Sequence, residues 1–282
     1  MKDQTVKEVS VRKFRGDSEQ EMPDLLAVEE PLEIRLEYGP AENRVVKNLS
    51  VTMRTPGADE DLAAGFLFTE GIVRKAEDIV SIRHLDVFGN VALASLHPDL
   101  NFDLQKLERH FYTTSSCGVC GKTSIDALKT TATCSFSEIN FEIAPKIIYA
   151  LPETLRRAQA TFDATGGLHA AAFFSPEGEL ISLREDVGRH NALDKLIGSH
   201  FLKGEIPLDD VILLLSGRAS FELLQKAAMA GIRVVCAVGA PSSLAVETAE
   251  SFGIALIGFL REGRFNLYSK ISTAETQRRG VF

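Results

Sequence analysis

At 282 residues the chain can hold one large domain or two of ordinary size, and 45% hydrophobic against 25% charged residues describes a globular protein with a real core. A net charge of −8 excludes a protein that coats nucleic acid through bulk electrostatics, though not a local basic pocket for one phosphorylated ligand. No stretch approaches the roughly 20 apolar residues of a membrane span, and the charged segment from Met1 to Asp24 lacks the apolar core of a signal peptide, so a cytoplasmic protein is expected.

Met1 to Asp24 reads as a mobile lead-in. Leu32 to Leu36 alternates apolar and polar residues, the mark of a half-buried strand, and Lys47 to Arg54 alternates less cleanly. Thr55-Pro56-Gly57 stops that run. Asp59, Glu60 and Asp61 then place acid in the first turn of a helix, where the macrodipole favours it. Leu62, Ala63, Phe66 and Leu67 give the helix an apolar face, and Gly71 ends it. Strand-like runs follow at 79–86 and 90–96.

Next comes Ser115-Ser116-Cys117-Gly118-Val119-Cys120-Gly121-Lys122. Thiols three positions apart can meet, the glycines free the backbone, and a basic side chain within reach favours thiolate over thiol. Four cysteines (117, 120, 134 and 236) in a chain this long do not make a disulfide framework, so a close pair points to catalysis or metal binding. Three readings stand at this point. A zinc site would add Cys134 and His110, but the spacing is irregular and there is no second Cys-x-x-Cys. A thioredoxin-like pair would need a strand and helix wrapped around the motif, and residues 109–114 make a poor central strand. A sulfur relay would place a persulfide on Cys117, with the second thiol assisting release. Cys236, in an apolar run, reads as a buried small hydrophobe.

Residues 123–131 read as a short helix and 145–160 as a longer one. Leu168 to Phe174 and Glu179 to Leu183 read as strands joined by Ser175-Pro176-Glu177-Gly178, and Asp186 is placed to cap a helix through about Leu196. The rhythm then becomes strand 211–215, helix 221–230, strand 233–238, helix 242–252 and strand 255–260. Such spacing implies parallel crossovers in a sheet covered on both faces. An α+β N-terminal domain is expected over 1–138, with the cysteine loop near 113–122, and an α/β domain over 139–282.

In open α/β sheets ligands bind beyond the carboxyl ends of strands, near helix N-termini. Ser216-Gly217-Arg218, Gly239 to Ser243 and Arg261-Glu262-Gly263-Arg264 fall at such ends, where arginines beside glycines suit phosphate. Arg184 to Asn191, with Arg189 and His190, and Thr165-Gly166-Gly167-Leu168-His169 converge on the same predicted edge. Taken singly, each is ordinary: glycine after a strand is turn punctuation, His169 a core histidine, and Glu222 with Lys226 an i,i+4 pair.

Long segments of the chain resemble the formate dehydrogenase accessory sulfurtransferase family, the FdhD/NarQ type. They include Pro31 to Arg35, Met53 to Gly57, Gly65 to Gly71, Ser115 to Gly121, Thr165 to His169, Arg184 to Ala192, Ser216 to Arg218 and Gly258 to Asn266, all in the same order. The resemblance implies a cytoplasmic homodimer that carries sulfur from a cysteine desulfurase to the molybdenum bis-molybdopterin guanine dinucleotide cofactor of formate dehydrogenase. It implies a cytidine-deaminase-like three-layer α/β/α C-terminal domain without that family's zinc, so no bound metal, and no nucleic acid or membrane partner. By position Cys117 corresponds to the persulfide carrier, with Cys120 assisting. Phe259, Leu260, Arg261, Glu262, Gly263 and Arg264 correspond to the cofactor-contact segment, whose guanine nucleotide portions can bind alone. Members commonly carry Gly where this chain has Glu262. Ser216, Gly217, Arg218, Arg189, His190 and His169 complete the expected contacts. The rival readings are a non-enzymatic cofactor chaperone whose cysteines hold metal, and a nucleoside hydrolase on the deaminase-like fold, which lacks the zinc ligands it would need.

Overall fold

The computed structural model describes residues 5–100 and 143–270. Among these, twelve strands form three sheets, joined by six α-helices and a 3-10 turn at Ala76–Asp78. Strands β1 (Val6–Arg15) and β2 (Ser18–Ala27) pair as an antiparallel hairpin, in register from Val6 opposite Ala27 to Arg15 opposite Ser18, and Gly16 turns it at φ 59°. This corrects the lead-in expected over 1–24. Val6, Val9, Val11, Met22, Asp24 and Ala27 are the half-buried positions, and the charged residues among them hide the period of two.

The second sheet has the order β4-β3-β6-β5, with β3 (Glu30–Tyr38), β4 (Val45–Arg54), β5 (Ile79–His84) and β6 (Val91–Leu96). Leu32, Ile34 and Leu36 alternate inward as their spacing predicts. Helix α1 (Asp59–Thr69) lays Leu62 and Ala63 on that face. Its opposite side packs Ala64, Leu67 and Phe68 against α4 (Arg189–Phe201), through Leu193, Leu196 and Ile197. A helix buried on both sides is a core helix, not an amphipathic surface one. Two glycines set its distance from α4. A Cβ on Gly65 would stand 1.9 Å from the carbonyl oxygen of Asp194, and one on Gly198 1.9 Å from that of Asp61.

The third sheet has the order β12-β11-β10-β9-β7-β8. Strands β9 (Ile212–Leu215), β10 (Val234–Ala237) and β11 (Ala255–Arg261) are parallel, as the strand–helix rhythm predicts. The hairpin β7 (His169–Phe174) and β8 (Leu180–Asp186) joins β9 antiparallel, and β12 (Arg264–Ser269), absent from the sequence reading, closes the other edge. Helix α2 (Pro145–Ala158) covers one face with Ile148, Leu151 and Leu155 over Ala172, Leu214 and Cys236. The short α3 (Ala160–Thr165) leads into β7. On the opposite face lie α4, α5 (Phe221–Met229) and α6 (Ser243–Phe252), so helices flank this sheet on both sides. No helix among the described residues is long and apolar enough to cross a membrane.

Candidate functional site

One edge of the third sheet gathers the predicted strand-end segments. Because β7 runs antiparallel to β9, its first residue His169 lies beside the end of β9, and β8 ends at the same level with Asp186 opposite His169. Main-chain bonds stitch the loops together: Ser216 N–H to the Ala170 carbonyl at 3.0 Å, Gly239 N–H to the Gly217 carbonyl at 2.8 Å, and Phe259 N–H to the Gly239 carbonyl at 3.0 Å. The Ser216 hydroxyl accepts from Ala170 N–H at 2.8 Å. Three glycines keep this floor flat. A Cβ on Gly217 would meet His169 Nδ1 at 3.2 Å, one on Gly239 the Gly217 carbonyl oxygen at 2.9 Å, and one on Gly258 the Pro241 ring at 2.8 Å. The missing side chains let these loops pack directly on one another and on His169.

Phe259 stands out on the rim. Its φ is 52°, a region that side-chain-bearing residues rarely enter, and the ring is 46% exposed. The pairing of β11 with β12 slips between Gly258 and Arg261, which turns the ring outward. Leu260 is fully buried in the core, main chain and side chain alike, and offers no surface to a ligand. Arg261 folds back, donating to the carbonyls of Val238 at 2.6 Å and Leu260 at 2.9 Å. Glu262 and Gly263 form the exposed turn between Arg261 and Arg264, which face each other in register. Arg218 and Arg264 are exposed.

Three helices begin at this edge, bringing the partial positive charge of their N-termini. Ser242 caps α6, accepting from Ala245 N–H at 3.2 Å. Ser220 precedes α5 without capping it, and its hydroxyl instead lies 3.3 Å from His190 Nε2. His190 Nε2 is also 2.9 Å from Glu222 Oε2. The hydrogen bond from His190 holds the Glu222 carboxyl below its ordinary value, against the effect of burial, and the charges of His190 and Arg189 add to it. Burial lowers the His169 imidazole below its ordinary value, and the positive charges of Arg189 and His190 push it the same way. Arg189 opens α4, and its buried Nε has no hydrogen-bond acceptor among the described residues.

Two sequence readings are corrected here. Asp186 does not cap α4; Gly188 holds that position, and the helix runs on to Phe201. Asp186 is instead fully buried and pairs with Lys195 at 2.7 Å, because a carboxylate in a core needs a cation more than it needs a helix end. Glu222 and Lys226 are not an ordinary surface pair. Glu222 turns to His190, while Lys226 is buried 2.9 Å from Asp194 and 2.9 Å from the Thr69 hydroxyl. Burial opposes the Lys226 charge, yet Asp194 and Glu70 hold its ammonium above the ordinary lysine value. Sequence reasoning passed over Ser220, Thr55 and Lys195. The available signal was the run of polar residues at 184–191 between two buried elements, which had to find partners somewhere.

Cys117, Cys120, Cys134, His110 and Lys122 lie outside the described residues. Cys236 is buried, as read, and burial raises its thiol far above the ordinary value. A separate cleft of about 860 Å3 lies beside the second sheet, lined by Arg54, Asp59, His84 and Phe88 among others, and none of the predicted site residues that are described lines it.

A family model described as the FdhD/NarQ family matches residues 27–274. A protein of Streptomyces avermitilis named sulfur carrier protein FdhD is 49% identical over 267 residues, covering 92% of each chain. Proteins of the same name from Mycobacterium tuberculosis and Sulfurisphaera tokodaii are 46% identical (92% and 95% covered) and 41% identical (94% and 97% covered). The crystal structure of a protein from Desulfotalea psychrophila, described as a formate dehydrogenase accessory protein, superposes with a TM-score of 0.70 at 23% identity. It covers 94% of this chain and 97% of that one, a likeness of fold.

Proposed function

This chain belongs to the FdhD/NarQ family, and from that premise we propose that it is a sulfur carrier serving formate dehydrogenase, with sulfurtransferase activity. In this reading the Cys117 thiolate attacks the outer sulfur of a persulfide on a cysteine desulfurase. A new S–S bond forms at Cys117, the old one breaks, and the donor's thiolate leaves. Cys120 assists release. The sulfur passes to the molybdenum bis-molybdopterin guanine dinucleotide cofactor, the substrate, before or as the formate dehydrogenase catalytic subunit receives it. The work is done in the cytoplasm by a homodimer, and the cytidine-deaminase-like ancestry of the third sheet belongs to the same reading.

The observation that carries it is the convergence at the sheet edge. Three helix N-termini and the exposed Arg218 and Arg264 fit phosphate oxygens. The outward Phe259 ring offers a surface on which a guanine base can stack, and backbone strain at an exposed aromatic is the kind that binding sites retain. Glu262, at the turn tip, sits where a carboxylate can stay in solvent while Arg264 faces the ligand.

The test is intact mass after incubation with a cysteine desulfurase and free cysteine. A gain of one sulfur atom, removed by reductant and absent in Cys117→Ala, supports the relay. No gain, with the desulfurase demonstrably active, leaves a cofactor-binding chaperone as the better reading.

A further inference from the structure

The turn that delivers Arg189 and His190 to the sheet edge is held from outside its own sheet. Asp186 Oδ1 accepts from Gly188 N–H at 2.8 Å and from Asn191 Nδ2 at 3.1 Å, and its Oδ2 accepts from Thr55 N–H at 3.2 Å. Lys195, paired with the same carboxylate, donates to the Thr55 carbonyl at 2.7 Å. The Thr55 hydroxyl accepts from Val187 N–H at 3.2 Å. Asn191 adds two more links, donating to the Met53 carbonyl at 2.8 Å and accepting from the Thr52 hydroxyl at 3.1 Å. Thr55 thus uses its N–H on Asp186, its hydroxyl on Val187 and its carbonyl on Lys195 of α4, from just beyond the end of β4.

We propose that Thr55 and Asp186 are positioning residues for the sheet-edge site: this clasp fixes the 187–188 turn so that Arg189 and His190 face the ligand. Neither residue touches the ligand, since both are buried. They act through the start of α4, where a backbone displacement of an ångström would take Arg189 off a phosphate oxygen and His190 off Glu222 and Ser220. The clasp also makes the edge a composite structure, because the second sheet supplies half of what holds an element of the third. The inference rests on the reading of that edge as a guanine-nucleotide site, and the test separates the two.

The variants are Thr55→Val, which removes one hydroxyl of similar volume, and Asp186→Asn. In ligand-free protein the His190 ring signals are followed by NMR, assigned with His190→Gln, and compared with those of His200 at the far end of α4. The His190 ring signals are expected to move in Thr55→Val while those of His200 do not. Titration with guanosine diphosphate is expected to show affinity about tenfold weaker, the equivalent of one lost hydrogen bond, with guanosine affinity unchanged. His190 signals and guanosine diphosphate affinity both at wild-type values in a folded variant would overturn the clasp. Should Asp186→Asn not fold, Thr55→Val carries the test. Wild type that binds no guanosine diphosphate would overturn the nucleotide reading, and the His190 signals would still decide the clasp.

Discussion

Two regions of this molecule use charge in opposite ways. Where α1 meets α4 and α5, ions are sealed in and matched: Lys226 with Asp194, Lys195 with Asp186. At the edge of the third sheet, Arg218 and Arg264 stand in solvent, and the buried Nε of Arg189 has no acceptor among the described residues. The glycines do the same work in both: Gly65 and Gly198 let two helices close on each other, and Gly217 and Gly239 let the loops of the edge pack against one another. The contrast teaches that one region is closed on itself and the other is built to meet something else. Buried ions satisfied within the fold hold its parts in register, while ions left open are available for binding.

The comparison breaks most sharply at Gly65. Gly65→Val puts carbon where the Asp194 carbonyl already stands, so α1 and α4 must separate. The expected cost is more than about 4 kcal/mol, read as loss of a cooperative thermal transition. Next comes Lys226→Met, which strands a buried carboxylate and is expected to cost about 3–5 kcal/mol by chemical denaturation. Adding Asp194→Leu to it removes the stranded charge and should recover much of the loss. The edge should behave in the reverse manner. Arg218→Ala and Arg264→Ala are expected to change stability by less than about 0.5 kcal/mol, yet each should weaken guanosine diphosphate binding about tenfold through a lost charge-assisted hydrogen bond.

The smallest effect concerns pH. The folded state holds Glu222 below its ordinary value near 4.5. Its contribution is therefore complete above that value and is lost as pH falls through the lower folded value. Glu222→Gln should flatten the stability profile below about pH 4.5 and leave the neutral region nearly unchanged. A profile that keeps its wild-type shape would show that His190 and Glu222 do not interact in solution.

How much of this was legible in the sequence follows from the range of the forces. Strands β3 and β9 to β11 and helix α1 announce themselves because burial imprints a period on neighbouring residues, and the gathering of 169, 189–190, 216–218 and 259–264 at one edge followed from strand order alone. The hairpin β1–β2 was hidden because its apolar signal is diluted by charge. Strand β12 follows a turn so short that the run ending at Leu260 seemed to close the sheet. Asp186 and Lys226 were misread for one reason: beside Lys195, which also pairs with Asp186, their partners Thr55 and Asp194 lie 131 and 32 positions away. Local rules supply a nearby use, a cap or an i,i+4 pair, for any polar side chain. Only the fold shows that burial has demanded a distant one.

The most direct test of the edge as a phosphate-holding surface is calorimetric titration of the wild-type chain and the Arg218→Ala, Arg264→Ala double variant with guanosine diphosphate, at low and moderate salt. The result expected is wild-type binding that weakens as salt rises and is lost in a double variant of unchanged melting temperature. Binding of equal strength in both chains, or none in either, would contradict it.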